Sequence, residues 1–473
     1  MKKILAFVLM LAMMLAAAGA LAASDKPDSV TGPEGGYTVD VYSDYTVLTI
    51  TKTGEYTITG WGQKTAKAWG SISIDPSLTG EVTLNLKDVY LFADDMNVFD
   101  AIIWSSDGVK SGKVKLTLNA DSCTLGGYGG LTVSGGSNCD AEVIVTGSGL
   151  RIPANLTGLY AGGKSVKLDV QSDNAQISGN EQAVRAYVYS GSADVVLSGD
   201  NMKLGGNYSI DIGGGTGLAK IRITGDSFSS DGSIGAHTGG DIWLSIEGDN
   251  ASIKDDLLGM GITGGGKVSL DISGEGSNVQ GNVSMTGGDV DIDIPGKNTT
   301  IEGNAWGIIT YCERETNVSI TGAGTQIHSG SYGIDLSGQG KSTLVLGPDI
   351  TITGRHKAIS FWDDGDKVLA DGATYPNLTA DVSDSTDGSN PTQLGLHTKL
   401  EDFGYRKIRN KLYLHTYIGQ PDGEPPVDPP KNDPPQGDPG DLPKTGDTSS
   451  IALYAALLAL ALGASVMLRR REA

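Results

Sequence analysis

The residues best placed to do chemistry lie in one short run, GDVDIDIPG, from Gly288 to Gly296. Asp289, Asp291 and Asp293 alternate there with Val290, Ile292 and Ile294. In a strand, that alternation turns three carboxylates to one side and three aliphatics to the other. The segment Lys267 to Ile272 repeats the pattern, with Lys267 at the place of Asp289 and Asp271 at the place of Asp293. Carboxylates this close repel one another unless a counter-charge intervenes. Lys267 supplies part of it, and a calcium ion, which takes several carboxylate and carbonyl oxygens, would supply more. Asp271, Asp289, Asp291 and Asp293 are therefore candidate calcium ligands, set against a plain solvated acidic face. Trp243, in the equivalent strand Asp241-Ile242-Trp243, offers a flat apolar ring on which a sugar could stack. With Asp271, Asp291 and Asp293 it makes a candidate carbohydrate surface, set against simple packing of the indole.

Other charged groupings are Asp94-Asp95, Asp255-Asp256, Asp363-Asp364 and Gly354-Arg355-His356-Lys357. Hydrolysis of a glycosidic bond needs carboxylates at fixed separation across a cleft, and elimination needs calcium beside a base. Neither pattern is assembled by these spacings, so the chain reads as a non-enzyme.

Such residues need a scaffold, and the sequence repeats one. Apolar residues alternate toward a marker position, usually glycine, at Ala120, Gly147, Ser172, Gly199, Gly225, Gly248, Gly274, Gly296, Gly322 and Gly347, every 22 to 27 residues. Five residues past the marker comes another apolar residue, as at Val279 and Ile301, and then often a Gly-Asn corner, as at Gly281-Asn282 and Gly303-Asn304. A steady period of strands without helical spacing is the signature of a solenoid. The expectation is an all-β, single-stranded parallel β-helix with coils of about 25 residues and neighbouring strands about 4.8 Å apart. Looser coils around YTITG at 56–60 and VTLNL at 82–86 precede the regular ones. Asn180, Asn207, Asn282 and Asn304 share one register and read as a structural side-chain ladder at a left-handed corner. Trp61, Trp69 and Trp104 fall in the irregular early coils, where one could cover the open end.

Sixty-nine glycines and few aromatics suit a coil-rich solenoid. The formal charge of −21 predicts a soluble domain that repels nucleic acid and anionic lipid and attracts divalent cations. Cys123, Cys139 and Cys312 make no disulfide framework; Cys123 and Cys139 could pair, but Cys123 falls at an inward position that suits a small buried residue.

The ends read as addresses. Residues 1–22 carry a basic start, an apolar run and the Ala20-Leu21-Ala22 cleavage pattern of a signal peptide. Residues 23–419 form the ectodomain, with 364–419 less regular and able to act as a cap. Residues 420–441 hold eight prolines and predict a disordered, extended, acidic spacer. Leu442, Pro443, Lys444, Thr445 and Gly446 follow, then 447–473, a hydrophobic segment suited to a transmembrane helix ending in Arg469-Arg470-Arg471. This arrangement resembles the sorting signal of Gram-positive LPxTG cell-wall-anchored surface proteins. The resemblance implies that a sortase cuts between Thr445 and Gly446 and joins Thr445 to a peptidoglycan amine.

The stretch TKTGEYTITGW, with GSISIDPSLTGEVTLNLKDVYLF and AIIW after it, resembles the opening of carbohydrate-binding parallel β-helix modules. That likeness implies an acidic polysaccharide as ligand, held with calcium. The expectation is a secreted surface protein, anchored in the wall, presenting a β-helix to extracellular polysaccharide or host surface glycan. The alternatives are a structural stalk or adhesin for a protein ligand, and a polysaccharide lyase.

Overall fold

In the computed structural model the described residues are 26–362, less 64–67, 94–99, 107, 339–340, 348–349 and 355–356. Beyond them come the short strands Ala380–Ser383, Thr392–Leu394, Arg406–Ile408, Lys411–Tyr413 and Tyr417–Gly419. The leader, the spacer, the LPKTG residues, the segment 447–473, Asp94-Asp95, Asp363-Asp364 and Arg355-His356 lie outside the described residues, as does most of 364–419. Those described fold as a parallel β-solenoid of about 11 turns, all-β as its period predicts, with no helix.

Each coil contributes one strand to each of three faces. Face A stacks Gly112–Asp121, Cys139–Thr146, Val166–Val170, Ala193–Leu197, Ala219–Ile223, Ile242–Ile246 and Lys267–Ile272 in parallel. Face B holds short strands such as Gln176–Ser178, Ser252–Lys254, Asn278–Gln280 and Thr300–Gly303. Face C includes Gln182–Val188 and Met260–Gly264. Longer strands serve two faces: Lys203–Gly214 bends from B to C, and Val283–Ile294 from C to A.

Alternation decides what points inward. On face A, Val143, Leu168, Val195, Ile221, Leu244, Leu270 and Ile292 fall in one register column, and none is more than 2% exposed. Each such side chain contributes about 1.5–3 kcal/mol by leaving water. Because the next coil repeats the residue type, the columns run among the described residues from Leu48 to Ile359 as one core. The early coils join the same stacks: Tyr56 pairs with Leu84, and Val82 with Leu116. Trp61 and Trp104 are fully buried inside them, whereas Trp69 is exposed and meets Phe92 edge to face. The first end is closed by chain running the other way. Ser29–Thr31 pairs antiparallel with Gly54–Trp61, and Tyr37–Val41 antiparallel with Thr46–Ile50. At the far end Tyr417–Gly419 and Lys411–Tyr413 also pair antiparallel, onto Ile350–Gly354 and Lys357–Trp362.

The corner after face A carries the repeat. Marker residues stack on one another, and a Cβ added at Gly225, Gly248 or Gly322 would lie 2.0–2.2 Å from the carbonyl oxygen of the preceding marker. Glycine is selected there by close backbone approach. Two residues later the chain turns left-handed in successive coils, with φ of 52–57° at Ser122, Asn174, Asn201, Ser227, Asn250 and Asn298. This corrects the expected asparagine ladder. Asn180, Asn207, Asn282 and Asn304 are not at positive φ, and those whose side chains bond do so to backbone. Asn282 Oδ1 accepts the Ala305 and Trp306 N–H groups at 3.3 and 3.2 Å, and Asn304 Nδ2 donates to the Asp256 carbonyl. A side-chain ladder does exist, on face A, where Asn119 Nδ2 donates to Asn85 Oδ1 at 2.6 Å and Thr146 donates to Asn119 Oδ1.

Between marker and left-handed residue sits a column of exposed acids, Asp173, Asp200, Asp226, Asp249 and Glu275. An Oδ1 of each aspartate accepts the backbone N–H of the next acid in the column at 2.8–2.9 Å. Part of the chain's acidity is thus a device for satisfying corner amides. All three cysteines are buried and free, and burial pushes the Cys123 thiol up to about 11.

Candidate functional site

The aspartates singled out from the sequence fall on face A as expected. Lys267 pairs in register with Asp289, Ser269 with Asp291, and Asp271 with Asp293. Counter-charges reach them from places the strand pattern alone does not show. Arg314 donates to both oxygens of Asp289, Nε at 3.0 Å and Nη2 at 2.7 Å. Lys267 makes its ion pair one step along the strand, with Asp291, which also accepts Asn317 Nδ2 at 3.1 Å. That leaves Asp271 and Asp293. Asp271 is half-buried, and one of its oxygens is buried without a hydrogen-bond partner. Burial raises its pKa, a hydrogen bond from Ser273 lowers it, and the charges of Asp293 and Glu247 raise it further. Among the described residues no group of three or more His, Cys, Asp or Glu comes together that could hold a metal ion.

Trp243 shares a column with Ser269 and Asp291. Its ring is half-buried, with the Lys220 ammonium 5.8 Å from the ring centroid. The same column, read from the N-terminus up to Trp243, is Glu81, Lys115, Glu142, Lys167, Asp194 and Lys220, alternating in sign at every coil. Trp243 stands where the next acid would, and its π face takes the cation in the acid's place. The indole therefore closes a charge ladder, and the open platform expected of it is partly covered by lysine.

Face C differs. From 157 to 288 its strands carry a single full-charge pair, Arg185 and Asp211, with His237 nearby. Tyr160, Arg185, Asp211 and Gly235 form one outward column, and Gly162, Tyr187, Gly213 and His237 the next. The glycines sit under the rings. A Cβ added at Gly162 would meet the Tyr160 ring at 2.8–2.9 Å, at Gly213 the Tyr187 ring at 3.5 Å, and at Gly235 the Tyr208 ring at 3.1 Å. Tyr187 meets Tyr189 edge to face at 5.1 Å, and the Arg185 guanidinium carbon is 5.9 Å from the Tyr187 centroid. Tyr189 and Tyr208 are 46% and 41% exposed, so the strip presents ring surface to solvent. These tyrosines lie on the stretch that follows the second corner, away from the strand before the marker on which the aspartates alternate. The signal was present as aromatics next to paired glycines, in YAGG at 160–163 and YSIDIGGG at 208–215.

A recess of about 390 Å³ opens at the corner between faces B and C, lined by Asp255, Asp256, Gln280, Glu302, Asn304 and His328. Asp255 is committed to the chain itself, its Oδ1 accepting the Leu257 and Leu258 N–H groups at 2.8 and 2.7 Å. His328 bonds Thr353 Oγ1 at 2.7 Å; burial lowers its pKa, partly opposed by Glu302.

Compared with known families, residues 434–473 match the model described as the LPXTG cell wall anchor motif. A search of the curated proteins and one of the solved structures return no match. The motif takes in Leu442 to Gly446 and implies sortase processing and covalent attachment to peptidoglycan.

Proposed function

Because the chain is a secreted surface protein held on the Gram-positive cell wall by its LPXTG signal, we propose that its solenoid binds extracellular carbohydrate without turning it over, through the tyrosine strip of face C. The observation that carries this reading is the seating of Tyr160, Tyr187 and Tyr208 against outward glycines on a face almost free of charge. Sugar rings present one apolar face and a hydroxylated edge, and flat aromatic surface beside polar groups suits both. Tyrosine predominates among the exposed large apolar residues, and its ring and hydroxyl together serve a ligand that is apolar on one side and hydroxylated at its edge.

The test is retention of the purified protein on immobilised neutral and acidic polysaccharides, with calcium and with chelator. The reading expects retention that Tyr187→Ala with Tyr208→Ala removes, while absorbance from unsaturated product stays flat. Retention indifferent to that double variant refutes the assignment to face C. The aspartate face enters as the calcium arm: calcium ligation there would appear as chelator-sensitive retention lost in Asp293→Asn. A rise in absorbance makes the protein a lyase.

A further inference from the structure

Arg185 occupies the middle of the tyrosine strip, between Tyr160 and Asp211 in its column. We propose that it recognises the carboxylate of an acidic sugar directly, so that face C prefers uronic-acid-type glycans without a bridging metal. This rests on the reading of face C as the glycan surface.

The guanidinium is held in place but is not satisfied. Its Nε is buried with no hydrogen-bond partner, and the nearest acid oxygen, Asp211 Oδ2, is 3.6 Å away, beyond hydrogen-bond range. About a third of the side chain remains exposed, at 36%. Arg314 shows the contrast, since its fork is filled by both oxygens of Asp289. The buried Nε lies out of a ligand's reach, so the fork on offer is the terminal Nη pair, whose planar geometry matches a carboxylate bidentately. Asp211 is a weak competitor: burial pushes its carboxyl upward, against the pull of Arg185 and His237. Besides Asp211, the strands of face C carry no acid between residues 157 and 288; Glu181 stands at the corner just before Gln182–Val188. A sugar carboxylate on Arg185 would set the pyranose ring over Tyr187 or Tyr208, where stacking needs it.

The test compares a polyuronic acid with its carboxyl-reduced form, both in chelator, by affinity measurement on the full protein. Wild type should prefer the acid by about tenfold, the discrimination expected of charged hydrogen bonds. Arg185→Gln should lose that preference and keep the affinity for the reduced polymer. Arg185→Lys, which keeps the charge and guards against misfolding, should retain only part of it. Arg222→Gln serves as control, because Arg222 also has a buried, unbonded Nε but lies on face A, away from the tyrosines; it should change nothing. An acid preference that survives Arg185→Gln, or that vanishes in chelator, overturns the proposal and leaves the face C reading standing. Loss of both polymers in Tyr187→Ala with Tyr208→Ala supports that underlying reading. Failure of wild type to bind either polymer overturns both.

Discussion

Faces A and C are built by the same alternation of inward aliphatic and outward polar residues, yet they use their outward positions differently. On face A an acid in one coil meets a base in the next: Glu142 lies between Lys113, Lys115 and Lys167, and is only 7% exposed. On face C the outward groups are tyrosine, glycine, serine and threonine around one loosely paired arginine. Along the ladder from Glu81 to Lys220, charge on face A is paired within the molecule, where it favours one register over its neighbours, since a slip of one residue would break the ladder; Asp271 and Asp293 stand outside it. Face C is held by its inward residues alone. Its outer surface is left over for something else.

The largest effect that would break this comparison is a binding loss. Removing the rings of Tyr187 and Tyr208 together should weaken glycan affinity about 100-fold, two stacking contacts at about 1.4 kcal/mol each, with the unfolding midpoint unchanged. A midpoint that falls with the binding would make the strip structural. Next in size is the reverse case on face A. Glu142→Gln should cost about 2 kcal/mol in denaturant unfolding, below the usual cost of breaking a buried pair because both lysine partners are half in water, and should leave glycan affinity alone. Burial raises the Glu142 pKa, but Lys113 and Lys167 outweigh it and hold it below the usual 4.5. A depressed carboxyl stabilises the fold above its unfolded pKa and loses that contribution as the pH falls through the folded one. The deficit of the glutamine variant should therefore close below about pH 4.5; a deficit that persists there would place the effect in packing.

Asp271 should behave with the opposite sign. Its pKa is raised, chiefly by burial, so the stability it contributes below the unfolded pKa is lost as pH rises from there through the raised folded one. Asp271→Asn should raise the midpoint slightly at neutral pH, with no gain in strong acid, and a lowered midpoint would show that something in solution offsets this carboxylate. The smallest expected effect is at Trp243. With Lys220 over its ring, Trp243→Ala should change glycan affinity by less than about twofold, and a larger loss would move the binding surface to face A.

The repeat is legible because the same contact between neighbouring coils recurs at every turn. A marker glycine sits where a Cβ would strike the carbonyl of the previous marker, and an inward aliphatic recurs because the next coil stacks on it. Register followed, down to the stacking of Asp271 on Asp293. The partners of the aspartates were harder to read. Arg314 lies outside the strand template, and Lys267 spans diagonally to Asp291, since long side chains choose partners by reach as well as by register. The left-handed residues lie six positions before the expected asparagines, because asparagine also occurs at the other corner, where its amide bonds backbone in an ordinary conformation. The tyrosine strip is not legible from the period, because its members recur irregularly, Tyr208 being offset from Tyr187 by a different step than Tyr187 from Tyr160.

The antiparallel strands that close the solenoid at both ends bear on how copies share a crowded wall. Within the chain, each coil is a template that offers the next one parallel hydrogen bonds. Ser29–Thr31 and Tyr417–Gly419 run against that direction, so an incoming copy meets a reversed edge and the growth rule stops with the molecule. Short reversed strands laid over the terminal coils are one way in which a sheet keeps its edge from pairing with another copy.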